Sequence, residues 1–200
     1  MNGECVGDTR LVRGEVVLVR HARSVPPSVN GPDGYHRPLT SEGVAQAEAL
    51  ADELTRLGPV LIVSSPYLRA VQTVEPTAVA LGVPVHRDHA LREWDSGLAF
   101  TPEYARHYAE SWADPHHARP GGESLHELSV RATDVLTSLA RQHPDGTVVV
   151  GSHGTFISRA LVGFGRTTVD WPFSRAMPMP AIYRLRFTDD GVRVGGPGLL

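Results

Sequence analysis

The sequence contains no lysine, so all 19 of its basic residues are arginine. Aromatic residues make up only 6% of the chain, and no purely aliphatic run exceeds four residues, which is far too short to span a bilayer. With 22 acidic residues the formal net charge is −3, and no basic tract is present. These features argue against a membrane protein and against a protein that binds nucleic acid through bulk charge.

Cysteine is nearly absent as well, because Cys5 is the single one in the chain. No internal disulfide can form, which favours a cytoplasmic location. No apolar stretch follows the first basic residues, so we expect no secretory signal. A length of 200 residues, of which 41% are hydrophobic, is typical of one soluble domain.

The composition along the chain predicts a single domain over residues 15–190. Residues 1–14 are polar and aperiodic and are expected to be a disordered leader, and the Gly-rich residues 191–200 are expected to be a tail. An aromatic and His-rich stretch over residues 94–122 interrupts the pattern and is interpreted as a lid-like insertion. The sequence carries no indication of the oligomeric state.

Short β-branched runs predict strands, and apolar residues at helical spacing predict helices. The strands are expected at residues 15–19, 60–63, 147–150 and 181–187, and the helices at 40–57, from 66 onward, 124–142 and 155–162. Ser124 and Glu127 have the spacing of a capping box, and Pro76 should kink or end its helix. Strands that alternate with helices predict an α/β fold, a three-layer α/β/α sandwich with a mostly parallel sheet.

Three of the predicted strands are followed by residues of similar chemistry, namely Arg20-His21, Ser65 with the nearby Arg69, and Ser152-His153. Because ligands of such sheets bind beyond the carboxyl ends of the strands, we expect these side chains to meet. Arginines and helix N-termini bind anions, and a neutral imidazole is a competent nucleophile. The combination predicts a site for a phosphoryl group, with transfer to one histidine as the chemistry.

Six short blocks accompany these strand ends and helix starts. They are Arg20-His21-Ala22, Pro38-Leu39-Thr40, Ser64-Ser65-Pro66 with Arg69, Leu91-Arg92-Glu93, Pro120-Gly121-Gly122-Glu123-Ser124 with Arg131, and Ser152-His153-Gly154. In this order, over residues 16–162, they resemble the histidine phosphatase (phosphoglycerate mutase-like) superfamily. The resemblance implies the phosphoglycerate mutase-like fold and a phosphatase that needs no metal and no cofactor.

The resemblance also implies roles for individual residues. His21 would be the nucleophile, and three residues would hold the phosphoryl oxygens: Arg20, Arg69 and His153. Glu93 would protonate the leaving alcohol and then activate water, although Asp95 and Glu103 are acidic neighbours that compete for this role. Six residues are expected to contact substrate: Ser24, Asn30, Arg92, Ser152, Gly154 and Thr155. Arg23 and Arg37 are close enough in sequence to be candidates for the pocket rim.

Several positions depart from the family pattern. Ala22 stands where the family has Gly, and a Cβ there costs about 1–2 kcal/mol if φ is positive. Pro27 stands where Asn is usual, and His36 replaces the usual Asp before Pro-Leu-Thr. Residues 94–100 lack the usual aromatic-acid-Gly continuation. Together these departures reshape one side of the expected site.

We therefore predict a metal-independent phosphomonoesterase that hydrolyses a small phosphorylated substrate through a phosphohistidine on His21. A cofactor-dependent phosphoglycerate mutase is one alternative, but mutases typically follow the acid with Arg-His-Tyr-Gly, whereas Glu93 precedes Trp94-Asp95-Ser96-Gly97. A catalytically silent phosphate-binding or regulatory module is the other, motivated by Ala22 and Pro27. The remaining histidines match no standard zinc spacing. The sequence does not identify the phosphomonoester.

Overall fold

A computed structural model describes residues 13–28 and 34–199 of the chain. Its centre is one sheet of six strands in the order β3-β2-β4-β1-β5-β6. The strands are β1 (Gly14–Arg20), β2 (Leu61–Ser64), β3 (His86–Arg87), β4 (Thr147–Ser152), β5 (Ala181–Thr188) and β6 (Gly191–Gly195). The first four are parallel to one another, and β5 and β6 are antiparallel additions at one edge. The predicted, mostly parallel sheet is thereby confirmed.

In the part of the chain that the structure describes, six helices flank the sheet. They are α1 (Ser41–Arg56), α2 (Leu68–Leu81), α3 (Tyr104–Ala113), α4 (Leu125–Gln142), α5 (Gly154–Gly163) and α6 (Trp171–Ala176), with a short 3-10 turn at His89–Leu91. The central strand β1 is buried on both faces, as expected of a parallel strand between two helical layers. Val17 and Val19 pack with Leu54 of α1, whereas Val16 and Leu18 pack with helices α4 and α5 on the opposite face. The three-layer arrangement follows from this alternation.

Helix starts agree with the residues that cap them. Ser124 accepts a hydrogen bond from the Glu127 N–H, and the Glu127 carboxylate accepts one from the Ser124 N–H, which confirms the capping box. Thr40 caps α1 in the same way through the Gly43 N–H. These caps fix the residues at which α4 and α1 begin.

The prediction was that Pro76 kinks or ends its helix. Helix α2 continues through Pro76 to Leu81, so an end at Pro76 is wrong, and a kink stays a prediction. Val74, Thr77 and Ala78 are buried on both sides of the proline. This burial stabilises the helix enough to offset the backbone hydrogen bond that a proline cannot donate.

The domain ends later than the sequence predicts. Residues 191–195, interpreted above as tail, form β6, which pairs antiparallel with β5. The signal was the period-two placement of Val192 and Val194, which pack against the core. At the other end, Gly14 already belongs to β1 and Arg13 forms an ion pair with Asp189. Residues 1–12 of the expected leader, with Cys5, lie outside the described residues. Within the described ranges, no helix is both long and apolar enough to cross a membrane.

The predicted insertion over residues 94–122 contains helix α3 and is anchored by aromatic contacts. The Tyr108 ring lies 4.9 Å from that of Trp94 and 5.6 Å from that of Trp171 in α6. Arg119 donates hydrogen bonds to the Ser111 hydroxyl and to the His107 carbonyl, closing the end of the segment onto α3. The aromatic residues of the segment therefore pack against one another and against α6, and a lid function stays a prediction.

Candidate active site

The carboxyl ends of β1, β2 and β4 meet at one edge of the sheet. Pairing places Arg20 beside Ser152, and the Ser65 N–H donates to the Gly151 carbonyl at 2.8 Å. The His21 N–H donates to the Ser152 carbonyl at 3.0 Å. As a result the rings of His21 and His153 approach edge to face, with 5.3 Å between centroids. The predicted convergence of the two strand-end histidines is present in the structure.

The surroundings of His21 fix its protonation. Its Nδ1 lies 2.8 Å from the Ala22 carbonyl, which can only accept, so Nδ1 carries the hydrogen. Nε2 then holds the lone pair and accepts a hydrogen bond from Arg69 Nε at 3.2 Å. Burial, followed by the positive charge of Arg69, lowers the pKa of His21 to about 3. The ring is therefore neutral at pH 7, with its nucleophilic nitrogen directed at a guanidinium.

Two arginines approach the site from different elements. Arg69, in the first turn of α2, is only 4% exposed and also donates to the Gly34 carbonyl at 2.6 Å. Burial, followed by the charge of Arg37, lowers the pKa of Arg69 to about 10, so it stays charged at neutral pH. Arg20 donates to the Met177 carbonyl, and its buried Nε has no hydrogen-bond partner in the described part of the chain.

Gly154, the first residue of α5, lies directly against Arg20. A Cβ at this position would come within 3.1 Å of Cζ and Nε of Arg20. Glycine at this position therefore allows the N-terminus of α5 and the Arg20 guanidinium to lie side by side. The structure places this predicted substrate-binding residue beside a predicted oxygen-holding residue.

His153 is fully buried at the end of β4. Its Nε2 shares a hydrogen bond of 2.7 Å with the Ser65 hydroxyl, whereas its Nδ1 is buried and has no partner among the described residues. Burial, followed by the charge of Arg69, holds the pKa of His153 well below its usual value. The Tyr67 ring packs edge to face against it at 4.9 Å. This second imidazole is a neutral hydrogen-bonding group at pH 7.

The carboxylate of Glu93 sits at the N-terminus of α5. Oε1 accepts hydrogen bonds from the backbone N–H of Trp94 at 2.9 Å and of Phe156 at 3.0 Å, and Oε2 accepts one from Thr155 N–H at 3.3 Å. Burial lowers the pKa values of Arg20 and Arg69, and the negative charge of Glu93 offsets part of this lowering. Glu93 therefore interacts electrostatically with both arginines of the site.

A partly buried ion pair anchors the segment that carries Glu93. Arg131 of α4 pairs with the Glu123 carboxylate and donates to the carbonyls of Ala90 at 2.7 Å and Arg92 at 3.1 Å. The Ser152 hydroxyl donates to the Leu91 carbonyl at 2.9 Å. These hydrogen bonds fix the backbone on the N-terminal side of the carboxylate.

Two predicted substrate-binding residues have side chains that contact protein groups. The Ser152 hydroxyl is fully buried and donates to the Leu91 carbonyl. The Arg92 guanidinium lies 3.8 Å from Glu123 in an ion pair. Both side chains thus support the segment that carries Glu93, and contact of either residue with substrate stays a prediction.

The other predicted residues have different outcomes. Thr155 contributes its N–H to Glu93, and Ser24 forms an isolated antiparallel bridge with Leu39 in the loop after His21. Asn30 lies outside the described residues.

Ala22 is buried, and its φ is not in the left-handed region, since among the described non-glycine residues only Asp145 has a φ in that region. The substitution of alanine for the family glycine is therefore free of backbone strain.

Arg37 was predicted only as a candidate for the pocket rim, from its position in the sequence. After burial, its charge also contributes to the lowered pKa values of His21, His153 and Arg69, so it lies within electrostatic range of all three. Tyr67, whose ring packs against His153, was not predicted as a site residue. Its position in the sequence between Ser65 and Arg69 was the only indication that it lies near the site.

The assembled site has three guanidinium groups, two neutral imidazoles and one carboxylate at a helix N-terminus. Such a site binds a phosphoryl dianion, presents an unprotonated nitrogen to phosphorus, and offers a carboxyl group for proton transfer. Across residues 13–28 and 34–199, no group of three or more His, Cys, Asp or Glu side chains is arranged to hold a metal ion.

Comparison with known proteins agrees with this chemistry. Residues 16–197 match the histidine phosphatase superfamily (branch 1). Phosphoserine phosphatase 1 of Hydrogenobacter thermophilus is 34% identical over 148 residues, which cover 70% of each chain. The probable phosphoglycerate mutase GpmB of Proteus mirabilis is 32% identical over 151 residues, covering 70% of this chain and 69% of that one. Bacillus stearothermophilus YhfR has the same fold, with a TM-score of 0.77 at 23% identity over 94% of this chain and 98% of that chain.

Proposed function

The chain belongs to branch 1 of the histidine phosphatase superfamily, and we propose that it is a phosphomonoesterase that hydrolyses a small phosphorylated substrate through a phosphohistidine on His21. The observation that carries the proposal is the state of His21. Its Nδ1–H is committed to the Ala22 carbonyl, so the lone pair of Nε2 is directed at Arg69, where an anionic phosphoryl group would bind. The similarity to a phosphoserine phosphatase supports hydrolysis as the reaction.

In the first step, His21 Nε2 attacks phosphorus, and the bond between phosphorus and the ester oxygen breaks. Arg20 and Arg69 stabilise the charge on the three equatorial oxygens, and His153 adds a neutral hydrogen bond. Glu93 gives its proton to the departing oxygen, so the alcohol leaves uncharged.

In the second step, Glu93 takes a proton from water as the water oxygen attacks the phosphohistidine. The bond between phosphorus and Nε2 breaks, inorganic phosphate leaves, and His21 returns to its neutral form. Neither step requires a metal ion, because guanidinium groups supply the positive charge. Ester and water are converted to alcohol and phosphate, with Glu93 protonated again at the end.

Hydrolysis of p-nitrophenyl phosphate by the purified protein tests the proposal. We expect activity in the presence of EDTA and its loss in His21→Ala. Loss of the wild-type activity on chelation would contradict a metal-independent mechanism. An inactive wild-type protein that still binds phosphate would instead favour the silent binding module.

The acid role of Glu93 has its own test. Glu93→Gln should lose more activity with an alkyl phosphate than with p-nitrophenyl phosphate, because a good leaving group needs little protonation. A difference of about tenfold or more between the two losses is expected. Equal losses with both substrates would refute the proton-transfer role.

A phosphoglycerate mutase is the second candidate, because one relative is named a probable phosphoglycerate mutase. A mutase returns the phosphoryl group to another hydroxyl instead of to water. Incubation with 3-phosphoglycerate and bisphosphoglycerate separates the two reactions. Formation of 2-phosphoglycerate faster than release of phosphate would overturn the assignment as a hydrolase.

We also propose a cytoplasmic location without a nucleic-acid partner. The single cysteine and the net charge of −3 support this assignment. Fractionation of cells that produce the tagged protein tests the location, and recovery outside the cytoplasmic fraction would refute it.

A further inference from the structure

The ring of His21 is held by one contact on each of its nitrogens. The Ala22 carbonyl accepts from Nδ1 at 2.8 Å, which keeps the hydrogen on that nitrogen. On the other side, Arg69 Nε donates to Nε2 at 3.2 Å. Both contacts favour the tautomer in which Nε2 has the lone pair. The reactive form of His21 therefore depends on the positions of Ala22 and Arg69.

Thr73, one turn after Arg69 in α2, forms hydrogen bonds with both of these residues. Its hydroxyl donates to the Arg69 carbonyl at 2.7 Å and accepts from the Ala22 N–H at 3.0 Å. The direction of both bonds is fixed, because a carbonyl can only accept and an amide N–H can only donate. One hydroxyl thus joins the residue that contacts Nδ1 of His21 to the residue that contacts its Nε2.

The bond from Thr73 to Ala22 differs from what a threonine commonly forms in a helix. A bond from its hydroxyl to the carbonyl four residues earlier is common and local. The bond to Ala22 instead crosses to a residue 51 positions away, and Thr73 and Ala22 are both fully buried. A buried N–H that loses its partner is costly, so removal of the hydroxyl favours a shift of Ala22. Such a shift moves the carbonyl that orients the His21 ring.

Gln46 of α1 supports the same segment more weakly. The Arg23 N–H, in the same peptide group as the Ala22 carbonyl, donates to Gln46 Oε1 at 3.0 Å. Arg23 is exposed, so water can take the place of Gln46 at this contact. The buried hydroxyl of Thr73 has no such substitute, which makes Thr73 the more important of the two.

We propose that Thr73 is a positioning residue that holds His21, through the backbone of Ala22 and Arg69, in the tautomer and orientation required for attack on phosphorus. This inference rests on the proposed phosphomonoesterase activity of the same site. When Nε2 bonds to phosphorus, the imidazole becomes positively charged and its Nδ1–H becomes a stronger donor. Thr73 keeps the accepting carbonyl of Ala22 in place while this charge forms, so no reorganisation is needed.

Thr77 provides a matched control for Thr73. It lies one turn further along α2 and is also fully buried, but its hydroxyl has no hydrogen-bond partner in the described part of the chain. Substitution of valine for either threonine replaces a hydroxyl by a methyl group of similar size. The two variants therefore separate the loss of a buried hydroxyl from the loss of its contact with Ala22.

Kinetics with p-nitrophenyl phosphate form the first readout. Thr73→Val should lower kcat by about tenfold or more, because a poorly oriented nucleophile attacks slowly. The inhibition constant of inorganic phosphate should change by less than about threefold, since the guanidinium groups remain. Thr73→Ser restores the hydroxyl and should keep kcat within about threefold of wild type. Thr77→Val should leave both constants unchanged.

Nitrogen-15 NMR of the histidine side chains gives a readout that a purely structural role would not change. It distinguishes a protonated ring nitrogen from an unprotonated one, and the His21 signals are identified by their absence in His21→Gln. At pH 7, wild type should show only the tautomer with hydrogen on Nδ1. In Thr73→Val the tautomer with hydrogen on Nε2 should appear as well, whereas in Thr73→Ser and Thr77→Val it should not.

The outcomes separate the inference from the function on which it rests. A folded Thr73→Val with kcat within about threefold of wild type, or with the single wild-type tautomer, would overturn the proposal. Losses as large in Thr73→Ser or in Thr77→Val would also overturn it. If thermal unfolding shows that Thr73→Val does not fold, Thr73→Cys replaces it under the same criteria, because a thiol fills the site but accepts weakly. A wild type without phosphatase activity would overturn the proposed function, and the NMR comparison would still decide on Thr73.

Discussion

Acidification should destabilise the protein through the neutral histidines of the site. Burial and Arg69 lower the pKa of His21 to about 3, against an ordinary value of 6.5 in the unfolded chain. Below pH 6.5 the unfolded state therefore binds a proton that the folded state does not bind. The stabilisation is complete above pH 6.5 and is lost as the pH falls toward 3. For His21 alone, the loss between pH 8 and pH 5 is about 2 kcal/mol of unfolding free energy.

Urea denaturation at these two pH values measures the effect. The comparison is between wild type and His21→Gln, with His117→Gln, an exposed histidine, as the matched control. His21→Gln should lose about 2 kcal/mol less stability on acidification than wild type, and His117→Gln should lose as much as wild type. His153 is shifted in the same direction and remains in all three proteins. Equal losses in wild type and His21→Gln would refute the account of a buried neutral His21.

Two supporting residues give further predictions. Arg131→Met should remove the nearer ion-pair partner of Glu123, leaving only Arg92 at 3.8 Å, and lower the unfolding free energy by about 1–3 kcal/mol; a loss no larger than that of exposed Arg141→Met, on the same helix, would contradict the partly buried ion pair. Ser152→Ala should lower stability by about 1 kcal/mol through the lost bond to the Leu91 carbonyl, with KM unchanged. A rise in KM of tenfold or more would return Ser152 to the substrate-binding residues.

The parallel core was predictable because its signals are local. The apolar runs of β1 and β4 end at His21 and His153, and the carboxyl ends of parallel strands share one edge. The capping-box spacing of Ser124 and Glu127 marked the start of α4 correctly. Each of these features depends on residues within a few positions of one another.

The rest of the fold and of the site depends on contacts between distant parts of the chain. The region over residues 94–122 has no clear period, and its packing comes from contacts such as that between Tyr108 and Trp171 of α6. The placement of Arg37 depends on its hydrogen bond to Val25, and the loop around it is joined to α2 by the hydrogen bond from Arg69 to Gly34, 35 positions apart. The tautomer of His21 follows from the direction of one backbone carbonyl, that of Ala22. No pattern in the sequence predicts these contacts or the direction of this carbonyl.

Trapping the covalent intermediate tests the central claim most directly. The protein would be mixed with a phosphomonoester labelled with phosphorus-32, quenched in alkali within the first turnovers, and digested for mapping of the label. We predict label on the peptide that contains His21, stable in alkali and lost in acid, as a phosphoramidate requires, and no label in His21→Ala. An acid-stable label, or label that persists in His21→Ala, would contradict a phosphohistidine mechanism at this site.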